Sequence, residues 1–155
     1  MKKILIALDY GPTAQKVAED GYALAKAMTA NVVLLHVVAD AVYYSSIAYA
    51  PIMGFGGYSN IDYLQPDIAD SLKKASQLFL DTSKIHLGDD TIQTVVKNGG
   101  DTADSITAVA EELNADIIVM GTHSRKWLEL IVMGSVTENV LKHTSKPLFI
   151  IPVKN

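Results

Sequence analysis

The residues best suited to chemistry lie between positions 121 and 137. Here Gly121-Thr-His-Ser-Arg-Lys-Trp-Leu-Glu-Leu-Ile-Val-Met-Gly134-Ser135-Val136-Thr137 follows an apolar run and leads into a helical pattern. A glycine just beyond a strand lets the chain turn with positive φ and lets a ligand approach the backbone. A Gly-Ser pair at a helix start offers unpaired N–H groups and a hydroxyl, which together suit an anion such as phosphate. The same pattern also serves a plain loop that ends in a helix cap. Arg125, the only arginine in the chain, can clamp phosphate through its fork of donors or stand as a solvated charge. Trp127, the only tryptophan, can fold with Leu128 and Ile131 as a lid or partner surface, or it can anchor the core.

Asp9 ends a second apolar run, Ile4 to Leu8, beside the turn cluster Tyr10-Gly11-Pro12. Its carboxylate can cap the helix that follows or serve a phosphate site. A bare carboxylate repels phosphate, so the second role requires Mg²⁺ between them. Catalysis is the weakest class of function. There is no nucleophile elbow, no pair of carboxylates spaced for acid–base work and no metal-ligand spacing of histidines. With no cysteine in the chain, disulfides, thiolate nucleophiles and cysteine metal sites are excluded. His123 can act as an acid–base group but reads more simply as a surface histidine, and Ser135 is better placed to donate to a phosphate than to attack one. His36 lies in an apolar run and reads as a core residue with a satisfied ring. Asp89 and Asp90 read as a solvated turn, since no further ligand is spaced to join them.

The elements that must position these residues follow from hydrophobic spacing. Ile4 to Leu8 and Val32 to Val38 are continuously apolar, as strands covered on both faces are. Between them Thr13 can cap a helix in which Ala14, Val17, Gly21, Leu24, Ala25 and Met28 recur at three- and four-residue steps, and the small residues let that helix sit close to a sheet. Positions 39 to 65 are irregular and rich in tyrosine and glycine. A segment of that length either covers a ligand or partner, or packs on itself as a surface excursion. Pro66 can open a helix that runs to about His86 and closes at Gly88. A strand from Thr91 to Val96, a helix capped by Asp101 or Thr102, a strand from Asp116 to Met120, a helix from Ser135 to His143 and a strand from Pro147 to Val153 complete the chain.

Strands alternating with helices predict an α/β fold in one domain over 1–155: an open, doubly wound, Rossmann-like parallel sheet of five strands with helices on both faces. Right-handed crossovers put every strand-to-helix loop at one edge of such a sheet, and ligands bind where the strand order reverses. For the order 3-2-1-4-5 that crevice lies between strands one and four, so Asp9 and Gly121 face one another across it. Pro147 and Pro152 bracket the last strand, which puts it at an edge, and pairing with a second copy would cover it.

The formal net charge of −4 argues against a general nucleic-acid or anionic-membrane surface, so any anion must be bound locally. Asp9 cuts short the N-terminal apolar run, no signal-type segment follows, and no run approaches the roughly 18 apolar residues of a membrane span. The expected compartment is the cytoplasm.

The C-terminal half of this pattern resembles the universal stress protein family, whose nucleotide-binding members carry Gly-x-x-Gly, nine residues, then Gly-Ser or Gly-Thr. This chain reads Gly121-x-x-Ser124, nine residues, Gly134-Ser135, continues Val-Thr-Glu-Asn-Val-Leu and ends in a Lys-Pro strand. The resemblance extends to Ile-Leu-Ile-Ala-Leu-Asp9 and to the strand from Asn31 to Val38. It implies an adenine nucleotide, ATP or a relative, in the crevice, acting in a regulatory module of the stress response. Asp9 would then lie near the phosphates or their Mg²⁺, the backbone at Val38 would meet the adenine edge, and Met120-Gly121 would run beside the ribose. Ser124, Gly134, Ser135, Val136 and Thr137 would contact ribose and phosphates; Arg125 is a further candidate phosphate contact on its own chemistry, not through the resemblance. The resemblance also implies a homodimer through the last strand; with no catalytic constellation in the residues, at most slow ATP hydrolysis is expected. The alternative is a dimeric interaction protein of the same fold without nucleotide. Ser124 stands where the motif has its second glycine, a change that costs about 1 kcal/mol if the position needs positive φ.

Overall fold

The computed structural model describes residues 1–38, 68–123 and 134–153. The tyrosine-rich segment, the helix start at Pro66, and Ser124, Arg125, Trp127, Leu128 and Ile131 lie outside the described residues. Five strands and four helices alternate: β1 (Lys3–Ala7), α1 (Ala14–Ala27), β2 (Asn31–Val38), α2 (Ile68–Leu87), β3 (Gln93–Asn98), α3 (Thr102–Glu112), β4 (Ile117–His123), α4 (Ser135–His143) and β5 (Leu148–Val153). All neighbouring strands pair in parallel, in the order β3-β2-β1-β4-β5. That is the 3-2-1-4-5 arrangement expected, with β5 at an edge.

Side chains alternate across each strand, so the apolar runs feed two separate cores. On one face Ile4, Ile6, Leu34, Val119 and Ile151 pack with Val17, Ala18 and Ala25 of α1 and Leu80 of α2. On the other, Leu5, Val33, Leu35, Ile118 and Met120 pack with Ile106, Val109 and Ala110 of α3 and Val140 of α4. The small residues of α1 have the role their spacing suggested. A Cβ on Gly21 would come within 2.9 Å of Ile6 Cδ1 and 3.1 Å of Val119 Cγ1, so glycine lets the helix settle onto the sheet. Among the described residues no helix is long and apolar enough to cross a membrane.

Several boundaries differ from those the sequence suggested. β3 begins two residues later than Thr91, because Asp89 Oδ1 accepts from both the amide (2.9 Å) and the hydroxyl (2.5 Å) of Thr91 and holds it in the turn. Lys97 and Asn98 continue the strand, in register with Val37 and Val38. Thr13 occupies the N-cap position of α1, but its φ of −97° and ψ of −1° lie outside the extended region that N-cap side chains need, and its hydroxyl makes no capping bond. Asp9 does not cap α1 either. Its Oδ1 accepts from Gly11 N at 2.9 Å, which closes the turn after β1. By contrast α2 closes at Gly88 as expected, with a φ of +66° and its amide bonded to Lys84 O at 3.1 Å.

Candidate functional site

The C-terminal ends of β1, β2 and β4 converge on a cleft of about 560 Å³. Ala7 pairs with Met120 in the sheet, so the two strands leave it side by side at the point where the strand order reverses. Leu8 and Asp9 form the cleft wall after β1, and Leu35, His36 and Val37 line it from β2. Met120 and Gly121 contribute the β4 side, and Thr13, Ala14 and Val17 of α1 face them. Thr102 and Ile106 of α3 and the run from Gly134 to Thr137 at the start of α4 close the remaining side. A cavity of this size is in the range of small-molecule sites, with apolar walls and a few polar groups.

Of the residues singled out from the sequence, Asp9, Met120, Gly121, Gly134, Ser135, Val136 and Thr137 are thus brought around one cleft. Val38 is not in its wall among the described residues, whereas Val37 is. The carbonyl of Val38 accepts from Gly99 N at 3.1 Å, which ties it to the turn after β3. Ser124 and Arg125 fall outside the described residues, and so does the side chain of His123.

The helix ends facing the cleft differ in how their positive poles are treated. At α3, Asp101 is extended (φ −68°, ψ 135°) and its Oδ1 accepts from Asp104 N at 3.0 Å, while Asp104 adds a second carboxylate to the first turn. Both offset the positive end of the helix dipole. At α4 the N-cap is Gly134, also extended (φ −60°, ψ 153°), and among the described residues no side chain caps it. The one acidic residue of its first turn, Glu138, is bonded to Lys142 at 2.7 Å, which lowers its pKa. Among the described residues no side chain competes with an anion in the cleft for the first amides of α4. The Thr137 hydroxyl donates to Gly121 O at 3.3 Å and links this helix start to β4.

The two glycines differ from what their types suggested. Gly121 lies inside β4 and is not in the positive-φ region. Its lack of a side chain is demanded by α1, since a Cβ there would come within 2.5 Å of Val17 Cγ2. Around Gly134 a Cβ would meet no atom of the described residues within 4 Å, so none of them makes such a demand.

Sequence reasoning missed three polar contributors to the wall: Thr13, His36 and Thr102. Thr13 was hidden by its resemblance to a helix cap, and His36 by its apolar neighbours. The His36 ring is satisfied on one side only: Nδ1 lies 2.7 Å from Leu8 O, and Nε2 has no hydrogen-bond partner. Burial lowers the pKa of His36, against opposing effects from the Leu8 bond and the Asp9 charge. No cluster of three or more histidine, aspartate or glutamate side chains able to hold a metal is present among the described residues.

Comparison with known proteins agrees with this geometry. The family model described as the universal stress protein family matches residues 1–152. The universal stress protein MJ0577 of Methanocaldococcus jannaschii is 28% identical over 158 residues, covering 99% of this chain and 96% of its own. Its solved structure superposes with a TM-score of 0.71, covering 99% of this chain and 97% of that one. A structure of the universal stress protein from Archaeoglobus fulgidus in complex with dAMP is 20% identical, covers 97% of this chain and 98% of its own, and has a TM-score of 0.60.

Proposed function

This chain belongs to the universal stress protein family, and from that premise we propose that its cleft binds an adenine nucleotide, ATP in the first instance, as a regulatory module of the stress response. The observation that carries the reading is the start of α4: a helix end that no described side chain caps, with no described atom within 4 Å of a Cβ at Gly134, sharing one cleft with Asp9. The amides of Ser135, Val136 and Thr137 and the Ser135 hydroxyl would receive the phosphates. The apolar side of the cleft, with Met120 and Val37, would take the base, and Gly121 would border the ribose. Asp9 would serve the phosphates through Mg²⁺, whose preference for carboxylate and phosphate oxygens suits that position. Arg125 and Ser124 belong to the same proposal as contacts from the connecting segment. The Archaeoglobus complex supports the choice of ligand to the extent that the same fold there holds an adenine nucleotide.

The module is read as cytoplasmic and as a binding protein, with at most slow hydrolysis of ATP. A homodimer through β5 is part of the reading. It is supported by the edge position of that strand and by Phe149, which is 44% exposed on it. An interaction protein that dimerises in this way with an empty cleft is the competing reading. The two separate by titration calorimetry with ATP, ADP and AMP, with and without chelator, alongside mass spectrometry of small molecules released on denaturation. Saturable binding of ATP supports the nucleotide module, and metal dependence supports the role of Asp9. An empty preparation with no heat for any of the three nucleotides would favour the interaction protein.

A further inference from the structure

Toward the sheet α2 buries Leu72, Ser76 and Leu80, and Leu80 joins the core beneath α1. On its far side Leu78 is 59% exposed and Ile85 78%. Residues seven apart lie on one stripe of a helix, about 10 Å from each other along its axis, so these two form a single outward patch. Single apolar residues on a surface are ordinary, but two aligned on the face turned away from the sheet leave that face open to contact. The polar groups beside the patch are already satisfied within the chain. Thr82, between the two on the stripe, donates its hydroxyl to Leu78 O at 2.8 Å. Asp81 is drawn toward β3 instead: its Oδ1 accepts from Gln77 Nε2 at 2.9 Å, and that amide lies 2.9 Å from Thr94 Oγ1.

Opposite charges stand at the two ends of the patch. Lys74, four residues before Leu78, shares its stripe. Asp90 follows the turn at Gly88 that ends the helix. Both are exposed, and neither enters an ion pair among the described residues. The adjacent Asp89 is by contrast occupied by Thr91, Tyr22 and Lys26. A positive end, an apolar middle and a negative end make a self-complementary pattern. A second copy laid antiparallel on the first puts Leu78 against the partner's Ile85 and Lys74 beside the partner's Asp90, with each contact made twice by symmetry. An anionic lipid surface would instead be repelled by the acidic turn at Asp89 and Asp90.

We propose that α2 is an interface between copies of this chain, packed antiparallel against the same helix of a second copy about a two-fold axis at Asp81 and Thr82. The strand β5 lies at the opposite edge of the sheet from β3, beside which α2 packs, so this contact and a dimer through β5 are open to one molecule at once. Together they build assemblies larger than a dimer. One helix pair is small beside the roughly 1,200–2,000 Å² of stable interfaces, so the association is weak and concentration-dependent.

Sedimentation velocity of the full chain across the micromolar range tests the pairing. Wild type should rise with concentration toward twice the mass of Leu78→Asp with Ile85→Asp, whatever β5 contributes to both. Lys74→Glu and Asp90→Lys should each weaken association about tenfold, since symmetry counts each ion pair twice, and the two together should restore it to within about threefold. The absence of cysteine from the chain allows a second measurement, which also decides the matter if a charged variant fails to fold. Thr82→Cys, beside the two-fold axis, should form an intermolecular disulfide under mild oxidation. Lys74→Cys should not, because the antiparallel pair holds its two copies about 20 Å apart and a disulfide needs Cα atoms within about 7 Å. Equal masses for wild type and the double variant at every concentration would overturn the interface and leave the face to a different protein. A combined swap no better than its parts, or crosslinking as fast at position 74 as at 82, would also overturn it.

Discussion

At Gly121 a Cβ would come within 2.5 Å of Val17 Cγ2, whereas at Gly134 it would meet no atom of the described residues within 4 Å. The two glycines stand at opposite ends of one stretch of sequence and line one cleft. The first is required by the packing of α1 against β4, whereas no contact with the described residues requires the second. A glycine that no described neighbour requires, at a helix end that no described side chain caps, is where a ligand has room to approach the backbone. The same contrast separates the helix starts, since α3 is capped by Asp101 and no described side chain caps α4.

The sharpest way to break the contrast is to add a methyl group at each position. Gly121→Ala should destabilise the fold by about 1–3 kcal/mol in urea denaturation, the usual range for overpacking, and Gly121→Ala with Val17→Ala should recover much of the loss. A single variant as stable as wild type would mean that α1 yields easily and that Gly121 is not held by packing.

At Gly134 the opposite pairing of effects is expected. Gly134→Asp would copy the cap of α3 onto α4, raising stability by about 0.5 kcal/mol while weakening ATP binding about tenfold through charge repulsion and loss of free amides. Calorimetry and thermal melts on the same sample read both effects. Retained affinity would show that phosphate does not use this helix end.

Thr122 sharpens the comparison on the neighbouring residue of β4. Its hydroxyl is buried without a partner, and it lies beside Gly121 on the strand. Thr122→Val should be neutral or stabilise by up to about 1 kcal/mol in the same denaturation assay, since the isostere removes an unpaired group. A large loss would show that the end of β4 tolerates no change, so that the cost at Gly121 would not be specific to Val17.

Asp89 serves as a reference outside the cleft. Hydrogen bonds from the Thr91 hydroxyl, Tyr22 and the Thr91 amide depress its pKa to about 2. A carboxylate whose folded pKa is lowered stabilises the fold above its ordinary value near 4, and that contribution is lost as pH falls from about 4 to about 2. Asp89→Asn should remove this part of the acid sensitivity in melts recorded across that window. Nucleotide affinity at pH 7 should not change, which distinguishes a structural turn from the cleft.

Much of the fold was legible because it depends on local pattern. Continuous apolar runs gave buried parallel strands, three- and four-residue spacing gave the helices, and the alternation of the two implied a doubly wound parallel sheet, which is observed in the expected order. The grouping of Asp9 with Gly134 and Ser135 was also legible, since a doubly wound sheet sends those loops to one edge. What the sequence could not carry was any relation that depends on distances between elements. That Gly121 makes room for Val17, that Val37 rather than Val38 reaches the cleft, and that Thr13 and His36 keep unpaired atoms there are facts of packing. A residue's type states what it can bond to, but only the tertiary structure decides whether a partner stands within reach.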